Sequence, residues 1–100
     1  MSGPQERPPP VFAIGPVVDR ADIPRLCARL AALVRDTGAA AVLCDVGAVS
    51  APDAVTIEAL ARLRLTARRL GCDLRVLRAH RRLAQLVALT GLTDVLPAAD

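Results

Sequence analysis

Asp45, Ser50, Asp53 and Thr56 fall close together in the stretch DVGAVSAPDAVTIEALARLRLTARR, which runs from Asp45 to Arg69. Two carboxylates and two hydroxyls at that spacing are the raw material for general acid and base work, or for phosphoryl transfer to a side chain. Acid and base catalysis also needs a second titrating partner or a nucleophile, and the chain offers little of either. His80 is the sole imidazole, at a strand-to-helix turn, and no serine or cysteine pairs with it by spacing. Helix capping is therefore the reading preferred for Asp53. Its carboxylate suits the amides near Val55 and Thr56, and Ser50, three residues ahead, offers a capping-box-like alternative with Pro52 in the first turn. In either case the positive end of the helix dipole falls at Ala54 to Thr56.

Cys27, Cys44 and Cys72 are odd in number, widely spaced and set in apolar surroundings, with no C-x-x-C pair. They read as small buried hydrophobes, and neither a metal site nor any cofactor is expected. No glycine-rich phosphate cradle of the dinucleotide or P-loop type is present. Enzyme activity is therefore not expected.

The chain has 100 residues, enough for one core, and 53% of them are hydrophobic although Phe12 is the only aromatic. Such a core must be packed from Leu, Val, Ile and Ala, as helices on a sheet are. All thirteen basic residues are arginine, which with the richness in Ala, Gly, Pro and Leu points to a GC-rich bacterial genome. The net charge is +3 and the arginines crowd the second half, but without interleaved aromatics nucleic acid is not the expected partner. Without an apolar signal segment or a long apolar run, a cytoplasmic protein with no membrane span is expected.

Residues 1 to 10, rich in proline, read as a disordered leader, and the domain is expected over residues 11–97. Val11 to Ile14 reads as a short strand. A helix follows with Asp22 as its cap, Pro24 in its first turn and Gly38 at its end. Ala39 to Val46 is a nearly continuous apolar run, the pattern of a strand covered on both faces. A long helix over about Asp53 to Leu70 closes at Gly71, and Leu74, Val76 and Leu77 mark the next strand. The last helix, about Arg81 to Thr90, turns Leu83, Leu86 and Val87 inward and stops at Gly91 with Leu92 closing its cap, and Asp94 to Pro97 adds a terminal strand. This alternation predicts an α/β fold with right-handed crossovers, helices packed against a sheet.

On the long helix, Ala59, Leu60, Leu63, Ala67 and Leu70 share the sheet-facing side, with Glu58, Arg62 and Arg69 opposite. Ile57, Ala61 and Leu65 form a second apolar stripe, flanked by Arg64 and Arg68. It either packs under a neighbouring helix or serves as a partner-binding face.

The sequence resembles the STAS family, named for sulfate transporters and anti-sigma-factor antagonists, from about Phe12 to Leu96. The resemblance rests on Asp45-Val46 ending a strand, Asp53 opening the next helix, ARLRLTARRLGCDLRVL over Ala61 to Leu77 and LTGLTDVL over Leu89 to Leu96. It implies a small mixed sheet with mainly parallel central strands, the Pro-rich leader taking the place of the family's first strand. In partner-switching members, Asp-Ser-Ser-Gly opens this helix and an anti-sigma factor that is also a kinase phosphorylates the first Ser. Here the motif becomes Asp53-Ala54-Val55-Thr56: the family phosphoacceptor position is Ala54, and Thr56 is the weak candidate that remains. The expected function is a non-catalytic regulatory domain that binds an anti-sigma factor or GHKL-type serine kinase through Asp53, Ala54, Ile57, Ala61, Arg64, Leu65 and Arg68. A constitutive adaptor subunit of a larger assembly or transporter, and a small-ligand or nucleotide sensor, are the alternatives.

Overall fold

The computed structural model describes residues 8–49, 52–89 and 95–97. Strands and helices alternate: β1 Val11–Ala13, α1 Ile23–Thr37, β2 Ala41–Asp45, α2 Ala54–Arg69, β3 Asp73–Ala79, α3 Arg81–Leu89 and β4 Val95–Pro97. The four strands lie side by side in chain order and pair in parallel throughout. This is the expected α/β fold, and no antiparallel pair occurs among the described residues. Pairing with β2 begins one residue ahead of β1, where the Leu43 amide donates to the Pro10 carbonyl at 2.9 Å.

Strand order decides which faces are buried. Right-handed crossovers that all step the same way place their helices on the same face of the sheet. Phe12, Val42, Cys44, Leu74 and Val76 point to that face and share one apolar cluster with Ile23, Leu30 and Val34 of α1, Leu60 and Leu63 of α2, and Leu83 and Val87 of α3. The expectation that the Ala39 to Val46 run is covered on both faces is therefore corrected. Within β2, Val42 and Cys44 are buried while Ala41, Leu43 and Asp45 are only half-buried, the alternation of a strand with one covered face.

Helix ends account for several differences from the sequence reading. Asp22 occupies the cap position of α1 but makes no capping bond, because the 3-10 turn Arg20–Asp22 runs straight into the helix and leaves Asp22 in helical geometry. At the end of α2, Gly71 adopts φ 73° while its amide donates to Arg68 and the Cys72 amide to Ala67, the paired bonds of a Schellman turn. Glycine takes that left-handed conformation without steric cost. The expected cap at Gly91 and Leu92 lies outside the described residues, as do Ser50 and Thr90.

One irregularity interrupts β3. Strict alternation would turn Arg78 toward the helices, but the register between β3 and β4 slips between Val76 and Ala79. Arg78 takes φ 64° as the extra residue of the bulge, Ala79 fills the buried place, and the guanidinium stays exposed. Left-handed backbone at a residue with a Cβ costs about 1 kcal/mol or more, and burying the charge instead would cost far more.

Burial also sets the chemistry of Cys44. Desolvation, and secondarily the neighbouring Asp45 charge, push its thiol from 9.0 up to about 12. Since the thiol holds its proton more tightly in the folded protein, Cys44 leaves stability unchanged below pH 9 and lowers it as pH climbs from there toward 12. Thiol-reagent mass labelling of the native protein is expected to modify half-buried Cys27 first and Cys44 only on unfolding. Fast native labelling of Cys44 would contradict the assignment of β2.

Candidate functional site

The stretch from Asp45 to Ile57 is positioned at both ends. At the β2 end, the Asp45 carboxylate accepts from the Gly47 amide at 2.8 Å and pairs with Arg78 at 3.6 Å. These bonds occupy Asp45 with loop shape and charge balance, whereas the Asp53 carboxylate is engaged at the start of α2. Val49 is buried, and Gly15 passes so close that a Cβ there would stand 2.9 Å from Val49 Cγ2. The loop leading to α2 is thus packed against the loop that follows β1.

At the helix end, Asp53 is the cap residue in extended geometry, and its Oδ1 accepts from the Thr56 amide at 3.0 Å. Thr56 returns the bond, its Oγ1 accepting from the Asp53 amide at 3.4 Å and donating to Asp53 Oδ1 at 3.1 Å. This reciprocal box satisfies donors that a helix start leaves open. Pro52 accordingly sits just ahead of the cap and not in the first turn. The bond from the Thr56 amide is the main reason that the Asp53 carboxyl lies below its ordinary 3.8, against the opposing effect of desolvation.

The capping box settles the state of Thr56. Its side chain points toward the core, only 2% of the residue is exposed, and its hydroxyl already accepts one bond and donates another. Ala54, by contrast, is exposed one residue after the cap. The accessible position lacks a hydroxyl, and the hydroxyl that is present lacks access.

The rest of α2 divides largely as the helical wheel predicts. Ala59, Leu60, Leu63 and Ala67 are buried, Leu70 is half-buried, Arg62 and Arg69 are exposed, and half-buried Glu58 pairs with Arg20 at 3.0 Å. The second stripe is graded in exposure. Ile57 is half-buried against the core, Ala61 is exposed and Leu65 is 46% exposed, with half-buried Arg64 and exposed Arg68 beside them. Among the described residues, no helix buries the Ala61 and Leu65 end.

Residues that the sequence reading did not select complete this surface. Between the start of α2 and α3 lies a groove of about 470 Å³ lined by Pro52, Asp53, Ala54, Ile57, Arg82, Leu86 and Leu89. Leu86, expected to point inward, is half-buried and lines the groove, while Leu89 is 83% exposed. The usable signal was the spacing of Arg82, Leu86 and Leu89, which shares a helical face distinct from the Leu83 and Val87 face. His80 is exposed, and its carbonyl accepts from the Ala84 amide in the first turn of α3. Among the described residues, no group of three or more His, Cys, Asp and Glu side chains could hold a metal ion, and no helix is long and apolar enough to cross a membrane.

A family model described as "Mlab, STAS domain" matches residues 4–97. The chain belongs to the STAS domain family. No curated protein matches it. The STAS domain is a protein-interaction fold, and in this chain the capped start of α2, with Ala54 exposed, borders an open groove.

Two measurements test this geometry. Thr56→Val keeps the buried volume but removes both hydroxyl bonds, and a loss of about 1 kcal/mol in denaturant unfolding is expected. Because the folded carboxyl of Asp53 titrates below its unfolded value, its stabilising effect is complete above pH 3.8 and fades as acid protonates the folded group. Asp53→Ala should therefore lower the melting temperature by a few degrees at neutral pH and narrow the gap to wild type under acid conditions.

Proposed function

We propose that this STAS domain is a non-catalytic cytoplasmic regulatory module of the anti-sigma-factor-antagonist type, docking an anti-sigma factor or a related GHKL-type serine kinase. The docking surface is the groove at Asp53 and Ala54 continued along Ile57, Ala61 and Leu65, with Arg64 and Arg68 at its flank. The observation that carries this reading is the apolar strip of exposed Leu89, half-buried Leu86 and Ile57, and exposed Leu65, beside a helix start fixed by its own cap. Apolar surface that no element covers, rimmed by charge, is what a partner needs as an anchor.

One observation favours a second reading, a constitutive adaptor subunit of a larger assembly or transporter. Ala54 at the accessible position and Thr56 bonded within the capping box support this reading, since a partner held without a phosphorylation switch needs no free hydroxyl at the helix start. Both readings share the surface and differ in what it holds.

Leu65→Asp and Leu89→Asp alter exposed side chains and should leave the melting temperature within a few degrees of wild type. Partner affinity should fall about tenfold or more, as removal of an apolar anchor does. Ile57→Asp, which also places a charge against the core, should weaken both folding and binding. A pull-down from the native host read by mass spectrometry separates the two readings: a GHKL-type kinase or anti-sigma factor supports the first, and subunits of a stable assembly support the second. In either case incubation with a cognate kinase should leave Thr56 unmodified, and stoichiometric phosphate there would overturn the unswitched docking described here.

A further inference from the structure

All three helices lie on one face of the sheet, and no described helix packs on the other. All-parallel sheets are found almost only with both faces covered, because each face of such a sheet is built to be buried. The open face here carries Val11, Leu43 and Arg75 in one register row, Ala13, Asp45 and Leu77 in the next, and Ala41 beside Asp73. Val11 is 55% exposed, and Leu43 and Leu77 are half-buried on central strands. Apolar side chains thus occupy the middle of a face that water reaches.

Its charges are balanced. Asp73 pairs with Arg75 at 3.1 Å near the start of β3, and Asp45 pairs with Arg78 at 3.6 Å near the other end of the strands. Among the described residues, two carboxylates and two guanidiniums balance on this face, although the chain as a whole carries +3. A face of one dominant sign would repel a copy of itself and attract a partner of opposite sign. A neutral face with an apolar middle and an ion pair at each end is complementary to its own copy: turned about a twofold axis across the strands, the Asp73–Arg75 end of one copy meets the Asp45–Arg78 end of the other, and Leu43 and Leu77 meet apolar side chains.

We propose that the open sheet face is the contact between two copies of this chain, which pair face to face about a twofold axis. Such a dimer leaves both α2 and α3 grooves outward on opposite sides. A partner that is itself paired or clustered would then be bound at two points, with the gain in affinity that linkage brings.

Sedimentation equilibrium of the full chain from micromolar to millimolar concentration tests the proposal. Wild type is expected to reach the mass of a dimer, with a melting temperature that rises with concentration. Leu43→Asp should raise the dimer dissociation constant about tenfold or more. Val11→Asp, at a site already exposed, keeps the test decisive should Leu43→Asp fail to fold, because it should weaken the dimer with the monomer's circular dichroism unchanged. A wild-type chain that stays monomeric throughout, or a dimer that withstands Val11→Asp and folded Leu43→Asp, overturns the proposal. So does a dimer abolished by Leu89→Asp, which would place the contact on the helix side and leave the docking surface itself as the interface.

Discussion

Handedness and strand order together constrain everything else in this molecule. Four parallel strands in chain order require crossovers that all step one way, and right-handed crossovers then have a single face on which to put three helices. The core follows from that: one layer of Leu, Val, Ile, Ala and Cys side chains between one sheet face and the inner stripes of α1, α2 and α3. Burial of a single Leu side chain in such a layer contributes about 2 kcal/mol, so the sequence need only keep helical and strand periodicities in phase on that side. The same constraint leaves two surfaces over: the flank of α2 beyond α3, and the far face of the sheet.

Charges show how closely the chain keeps to this arrangement. Arg78 falls where alternation would bury it, and β3 takes a left-handed residue and a register slip in preference to desolvating a guanidinium. Thr56 is the one polar residue that is buried among those described, and its hydroxyl is held by the Asp53 backbone and side chain. In the first case the backbone moves to spare the side chain. In the second the side chain is used to complete the backbone's own hydrogen bonding, so that helix formation and burial of the polar group support each other.

Much of this was legible in the sequence because it rests on periodicity and local stereochemistry. The inner stripe of α2, the stop at Gly71, the cap at Asp53 and the alternation of strands and helices all come from spacings within one element. The misreadings involve two elements at once. A continuous apolar run in β2 cannot say whether one face or both will be covered, since that depends on the order of strands in the sheet. Asp22 has the right residue type for a cap, but the preceding turn removes the extended geometry that capping needs. Leu86 has the right type for the core, yet it shares a face of α3 with Arg82 and Leu89, and that face lines the groove beside the start of α2. The bulge at Arg78 could be suspected only from a charge at a place that alternation assigns to the interior.

The start of α2 joins these strands of argument to function. A phosphorylation switch requires a hydroxyl that is accessible, free of structural duty, and near enough to the helix start to alter the field there. Ala54 has the access without the hydroxyl. Thr56 has the hydroxyl, but exposing it would break the reciprocal bonds with Asp53 and open the top of the core, so a kinase would first have to unwind the helix turn that presents its target. The loop from Asp45 to Asp53 is nonetheless held by Gly47, by Val49 packed under Gly15, and by the capping box, more fixed points than a bare connection needs. These fixed points lie on either side of Ser50 and Ala51, and at the helix end they leave an exposed Ala54 beside the apolar groove, so the first turn of α2 offers a partner shape and apolar surface in place of an accessible hydroxyl.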